Sequence, residues 1–439
     1  MNASSPLTAV RGALVWLQDD PFFSDPAEAL RHISDGAIVC RDGLIEAVGE
    51  AAEVLGALNE PVQVEHYPGC LICPGFIDTH VHYVQTGIIG AYGDQLLDWL
   101  LDYAFPAELA FADPAYARAQ AELFCDELLR NGTTTALVFC SVHEHSVDAL
   151  FEAASRRNMR IAAGKVLMDR HAPEGLTDTA QTGYDQSKAL IDRWHGKGRN
   201  LYAITPRFAA TSTPEQLQAA GALWAERPGV LVQTHIAENK AEIAWTAELF
   251  PDRRDYFDVY AHHGLAGPGA VFAHGVHLSE PELHACHSAG SGLSHCPSSN
   301  LFLGSGAMHV FDVKDAERPV EVGLGTDVGA GTSLSMLRTL GDAYKVSQIA
   351  GRPLDAVRGL YLATLGGARA MGLADRIGSF APGMEADFVV LDPEATPILK
   401  ARNARSGSPA ETLFVLMTLG DDRAVKGTWV AGRLCKTSV

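Results

Sequence analysis

Pro74-Gly75-Phe76-Ile77-Asp78-Thr79-His80-Val81-His82-Tyr83-Val84-Gln85 is the stretch that decides the fold. An apolar run ends in two histidines one residue apart. Side chains alternate along a strand, so His80 and His82 project to the same side. Two neutral imidazoles side by side can ligate one metal ion, and imidazole suits zinc, iron and nickel. A lone His-x-His is a weak signal. Its weight here comes from the apolar lead-in and from partners further along the chain.

Working outward from Phe76, the chain alternates. Buried strands are expected over residues 133–141, 159–169, 201–209, 230–236, 270–274, 292–296 and 320–325, with helices such as 95–103, 114–130, 213–226 and 237–249 between them. Eight strands in strict β–α order predict an α/β fold, a parallel (β/α)8 barrel of the TIM type. Two more helices are expected over 334–346 and 354–371. Before the barrel, residues 9–17, 37–41, 44–48 and 62–67 read as short strands, with Asp42-Gly43 as a tight turn. After it, 377–391 reads as turn then strand, and 425–434 as a hairpin around Ala431-Gly432. These late strands pair with the early ones in a small β-sandwich domain built from both chain ends. The expected organisation is 1–70 and 375–439 in that domain and 71–374 in the barrel.

The bulk numbers agree with a large enzyme-sized core. The chain has 439 residues, 47% of them hydrophobic and 20% charged. Its net charge of -19 argues against nucleic-acid backbones and acidic membrane surfaces. Met1–Pro6 lacks the basic then apolar pattern of a signal peptide, and no apolar run reaches the ~18–20 residues of a membrane span. Cys70-x-x-Cys73 has no second CxxC pair, and the eight cysteines are scattered, so reduced thiols in a cytoplasmic enzyme are expected.

In such a barrel the chemistry sits at the C-terminal ends of the strands. The first strand ends in His80 and His82 and the fourth in Arg207-Phe208. The fifth ends in His235, followed by Glu238, the sixth in His274, and the eighth in Asp327. Each has a plainer reading alone: a bonded core histidine, or an aspartate capping the next helix. Together on one rim they make a three-nitrogen, one-oxygen set for a zinc-type ion with room for water. His143-Glu144-His145 has no apolar lead-in and is read as rim. His295, closing the seventh strand, is given no chemical role and is expected at most to line the pocket.

On these residues the chain resembles the amidohydrolase superfamily and, within it, the guanine deaminases. Pro74–His82 with His235, His274 and Asp327 carries the superfamily likeness. Gln85-Thr86, residues 89–100, Pro206-Arg207-Phe208, residues 235–239 and residues 331–336 carry the finer one. The resemblance covers essentially the whole chain. It implies one zinc per subunit, or iron, which accepts the same ligands, held by His80, His82, His235 and Asp327. It implies a cytoplasmic homodimer and hydrolysis of guanine to xanthine and ammonia. Glu238, Asp327 and His274 are then catalytic. Gln85, Arg207 and Phe208, with His82, His235, Glu238 and Asp327, contact substrate. Arg207 has donors only and favours a ring carbonyl, Phe208 offers a stacking face, and Gln85 can both donate and accept at a second ring edge. The rival readings are a mononuclear relative acting on another amino- or chloro-substituted heterocycle (a pterin, a triazine, another purine), a two-metal cyclic-amide hydrolase, and a barrel whose site has decayed. The second would need a bridging lysine where Arg207 stands, and Lys165 lies inside the third strand.

Overall fold

The computed structural model describes residues 7–93 and 95–437. Met1–Pro6, on which the leader reading rests, and Asp94, inside the 89–100 motif, lie outside the described residues.

Four strands precede the barrel: β1 (Thr8–Leu17), β2 (Leu30–Arg41), β3 (Leu44–Glu50) and β4 (Gln63–Pro74). Asp42 and Gly43 join β2 to β3 with φ of 52° and 83°, the left-handed pair that a tight hairpin requires. Three strands follow the barrel: β14 (Phe388–Leu391), β15 (Val425–Val430) and β16 (Arg433–Thr437). All seven join one sheet in the order β16-β15-β14-β4-β1-β2-β3. The seam between the chain ends is β14 against β4, antiparallel from Phe388↔Pro74 to Leu391↔Leu71. Val10, Leu14, Ile38, Ile72, Phe388 and Trp429 pack together across that seam. The Phe388 and Trp429 rings stack at 5.3 Å.

The barrel strands are β5 (Phe76–His82), β6 (Thr133–Phe139), β7 (Arg160–Gly164), β9 (Leu201–Pro206), β10 (Leu231–Ile236), β11 (Ala270–His274), β12 (Gly292–His295) and β13 (Glu321–Leu324). A two-residue piece, β8 (Val166–Leu167), continues β7 and pairs with β9. Neighbours pair in parallel around the barrel. Helices cover the outside, so strands such as Thr133–Phe139 are buried on both faces. Ile77, Leu137, Ala162, Ala203, Leu231 and Val271, one from each of six strands, fill the interior. No ladder joins β13 to β5 among the described residues. Closure comes from the segment after β13: Asp327 N donates to His80 O (2.8 Å), and His82 N to Val328 O (2.8 Å). Buried Asp78 adds to the seam by accepting from Thr326 N (3.0 Å) and Thr326 Oγ1 (2.5 Å).

Some expected elements differ in extent. The helix expected over 95–103 is composite. Leu96–Trp99 runs into a π-turn, Leu100–Ala104, and then into Phe105–Leu109. The single helix expected over 354–371 is two, Ala356–Ala363 and Leu365–Ala370, broken at Thr364. Thr364 Oγ1 bonds back to Leu360 O (2.6 Å), the kind of local bond that competes with the helix ladder. Helices Pro397–Asn403 and Pro409–Leu419, between β14 and β15, were not anticipated. No helix among the described residues is long and apolar enough to cross a membrane.

An ion-pair network ties the barrel's foot to the small sheet. Glu385 accepts from Arg160 Nε (2.7 Å) and Arg199 Nε (3.0 Å). Asp387 accepts from Arg199 Nη1 (3.0 Å) and from Ala431 N (2.8 Å).

Candidate metal centre and substrate pocket

At the opposite, C-terminal face, His80, His235, His274 and Asp327 form a group able to hold a metal ion. One donor atom of each lies within 4.8 Å of the others. His82 enters the same knot. Its Nε2 is 3.3 Å from His80 Nε2, 3.2 Å from His235 Nε2 and 3.4 Å from Asp327 Oδ1. His80 Nε2 stands 3.2 Å from Asp327 Oδ1. Donors arranged tetrahedrally at ~2.05 Å from a zinc-type ion would be about 3.3 Å apart. The donor set and these separations fit a divalent ion.

The protonation states fit as well. Burial pushes His80 down to about 3 and lowers His82 and His274, so these imidazoles are neutral and hold lone pairs. Asp327 is held well below the usual carboxylate range. Burial works against its charge, but interaction with His80 and His274 and hydrogen bonds with His80 and His82 outweigh it. His235 donates from Nδ1 to Arg207 O (2.6 Å), which leaves Nε2 as the ligating atom. Asp327 and Ala237 sit at φ of 49° and 48°. That left-handed conformation is uncommon outside glycine and here aims Asp327 from the strand end.

His274 donates from Nδ1 to Asn300 Oδ1 (2.9 Å). Its Nε2 lies 3.2 Å from Glu238 Oε2 and 3.8 Å from Asp327 Oδ2, close to both without hydrogen-bond geometry. Glu238 accepts from Ser305 Oγ (3.1 Å) through its other oxygen. Burial, then the charge of Asp327, raises Glu238 well above the ordinary carboxylate range. A protonated Glu238 is therefore present near neutrality. The loop that carries it is fixed from behind by Glu242, which accepts from Glu238 N (3.0 Å) and Asn239 N (3.1 Å).

A cavity opens beside this knot. His82, Gln85, Arg207, Phe208, Glu238 and Asp327 all line it, under a roof of Leu96, Trp99 and Leu100. Arg207 is buried and donates from Nη1 to both oxygens of Glu108, at 2.7 and 2.8 Å. Gln85 donates from Nε2 to Glu108 Oε1 (2.9 Å), and its Oε1 accepts from Gly329 N (3.2 Å). Both ends of the Gln85 amide are thus engaged by protein.

The structure gathers the expected residues of five strand ends and adds others. Glu108, Asn300 and Ser305 gave no sequence signal, since none closes a barrel strand. Glu242 had one: Asn239-x-x-Glu242 is a capping box for helix Lys240–Leu249, and both of its bonds are present. His143 and His145 stack on each other at 5.4 Å, and His145 Nε2 bonds to Phe111 O (2.7 Å). Lys165 is fully buried between β7 and β8, its ammonium 2.5 Å from Asp178 Oδ2. His295 is buried but is not among the residues lining the cavity.

Comparison with known proteins gives the same picture. Residues 71–435 match the model of the amidohydrolase family. The chain is 52% identical over 438 residues to guanine deaminase of Escherichia coli (strain K12), covering 99% of each chain. The solved structure of guanine deaminase from Bradyrhizobium japonicum superposes with a TM-score of 0.96 at 40% identity, over 99% of this chain and 100% of that one. Guanine deaminase from C. acetobutylicum, solved with guanine bound in its active site, superposes with a TM-score of 0.86 at 28% identity, over 98% and 99%.

Proposed function

The chain belongs to the amidohydrolase family, and from that premise we propose that it hydrolyses guanine to xanthine and ammonia, with one divalent ion held by His80, His82, His235 and Asp327 and with His274 beside it. The observation that carries this reading is the pairing of two features in one cavity. A His/His/His/Asp donor group stands on one wall and the Arg207-Phe208 pair on another, in a chain 52% identical over nearly its whole length to a guanine deaminase.

A bound ion lowers the pKa of a water and so supplies a nucleophile at neutral pH. The protein supplies the rest. Asp327, anionic, accepts the proton that the attacking water gives up. Glu238, protonated, donates to the ring nitrogen next to the amino-bearing carbon as the new C–O bond forms there. His274 Nε2 lies between the two carboxylates and steadies the charge passing between them. The C–N bond then breaks as the amino group takes one proton, relayed from the water through Asp327, and leaves as ammonia; the remaining hydroxyl proton restores Glu238, and the second oxo group of xanthine remains. Phe208 stacks on the purine. Arg207 donates to the ring oxo group, and adenine, with an amino group there, leaves those donors unpaired, a mismatch that costs factors of ~10⁴ at a buried site.

Zinc is the proposed ion, a homodimer the proposed assembly and the cytoplasm the proposed compartment. All eight cysteines are free thiols, as a reducing compartment would keep them. The test is purified protein with guanine, following xanthine and ammonia with and without a chelator. Stoichiometric xanthine that stops on chelation and returns with metal is the expected result. No product from a folded, metal-loaded sample on guanine, with turnover of a pterin or triazine instead, would replace guanine with another heterocycle.

A further inference from the structure

Glu108 is a buried carboxylate that the chemistry above does not use. It is fully enclosed on the short helix Phe105–Leu109 and does not line the cavity. Yet both polar side chains on the oxo-reading side of the pocket end on it. Arg207 Nη1 meets both of its oxygens, and Gln85 Nε2 meets one of them. Phe105, three residues earlier on the same helix, puts its ring 5.4 Å from the Arg207 guanidinium carbon. One turn of helix therefore holds the guanidinium by face and by edge.

Two consequences follow from the chemistry of a carboxylate. It accepts and never donates, so the Gln85 amide has a single orientation, nitrogen toward Glu108 and oxygen toward Gly329 N. It is also the counter-charge of a buried cation. Without it the Arg207 guanidinium would be a lone charge in low dielectric, free to turn toward any acceptor. With it, one edge of the guanidinium is fixed and the remaining donors are left for a ligand in the cavity.

We propose that Glu108 is a specificity-determining positioning residue: it holds Arg207 and Gln85 so that a purine must set an oxo group, not a hydrogen or an amino group, against the guanidinium. This rests on the guanine reading of the pocket. The plainer alternative is a structural ion pair that merely pins the helix to the barrel. The two differ in what they do to ligands with and without the oxo group.

Hypoxanthine and unsubstituted purine separate them, because neither carries the amino group and so neither is consumed. Their dissociation constants are measured by calorimetric titration on the metal-loaded protein, for wild type, Glu108→Gln and Glu108→Asp, with metal content and melting temperature alongside. Wild type should bind hypoxanthine at least ~100-fold tighter than purine, the scale expected of buried donors left unpaired. Glu108→Gln should lose most of that ratio, with purine affinity changed less than about threefold. Glu108→Asp keeps the charge one methylene short and should lose about tenfold, on hypoxanthine alone. Should the glutamine variant fail to fold, the aspartate variant decides. Equal losses on both ligands, an unchanged ratio, or a wild type that does not discriminate would each overturn the proposal. A protein that turns over guanine but keeps its ratio in the variants sinks this inference and leaves the function standing.

Discussion

Two buried clusters of charge lie at opposite ends of the same barrel, and they are built on opposite rules. At the foot, Arg160 and Arg199 meet Glu385 and Asp387, two charges of each sign, and the bonds are shared out among them and backbone groups. None of their side-chain atoms is left buried without a partner. At the mouth, imidazoles crowd one another at 3.2–3.3 Å, and His82 Nδ1 and His274 Nε2 are buried without a hydrogen bond. Lone pairs pointed at one another are unfavourable until something positive sits among them. The foot is complete as folded protein, whereas the mouth is complete only with a cation and a substrate. That contrast is the physical mark of a site, and it is visible without reference to any relative.

The comparison can be broken in stages. The largest effect is expected from Glu238→Gln, which removes the transferable proton and leaves the donor knot intact. kcat for guanine should fall by ~10³–10⁴ while metal content stays at the wild-type level, as general acid–base catalysis of this kind allows. Steady-state rates with metal analysis check it, and retained turnover would take Glu238 out of proton transfer. Next is Arg207→Ala, expected to lower kcat/KM for guanine by about 10³, with far-UV circular dichroism unchanged. An unchanged kcat/KM would place the reading of the oxo group elsewhere.

The foot should respond in the other currency. Glu385→Gln leaves two buried guanidinium groups under-paired and should destabilise the fold by about 3 kcal/mol, read from urea unfolding, with kcat per folded molecule near wild type. A loss of activity without loss of stability would erase the distinction between the clusters. The smallest effect is the pH dependence of that difference. Burial opposes the charge of Glu385, but hydrogen bonds and attraction from Arg160 and Arg199 outweigh it, so its folded pKa lies below the ordinary 4.5. A depressed carboxylate contributes stability that is whole above its unfolded pKa and fades as pH falls through the folded one. The gap between wild type and Glu385→Gln should therefore hold from neutrality down to about pH 5 and shrink below it. A gap that is flat through the acid range would show that the pair contributes nothing as charges.

Most of the mouth was legible in the sequence because barrel strands announce their own ends. An apolar run stops at a polar residue, and His80, His82, Arg207, His235, His274 and Asp327 all stand at such stops or just past them. The same rule hides Glu108. It sits on a five-residue helix after a π-turn, where neither a period of two nor one of 3.6 persists long enough to be read. The foot was hidden for another reason. Arg160 and Glu385 are 225 positions apart, and local sequence says nothing about pairing across that distance. The Gln85 amide shows a third limit. Its residue type allowed a two-way contact with substrate, but only the coordinates show both of its ends already bonded to Glu108 and Gly329.

The seam between β4 and β14 also sets a schedule for the ribosome. β4 ends at Pro74, and its partner β14 begins at Phe388, more than three hundred residues later. At ~5–20 residues per second, that leaves β4 waiting roughly 15–60 s with an open edge. The nascent chain must shield that edge through the whole synthesis of the barrel. A messenger or drug that stalls translation before codon 388 should therefore leave aggregates rather than a soluble half-enzyme.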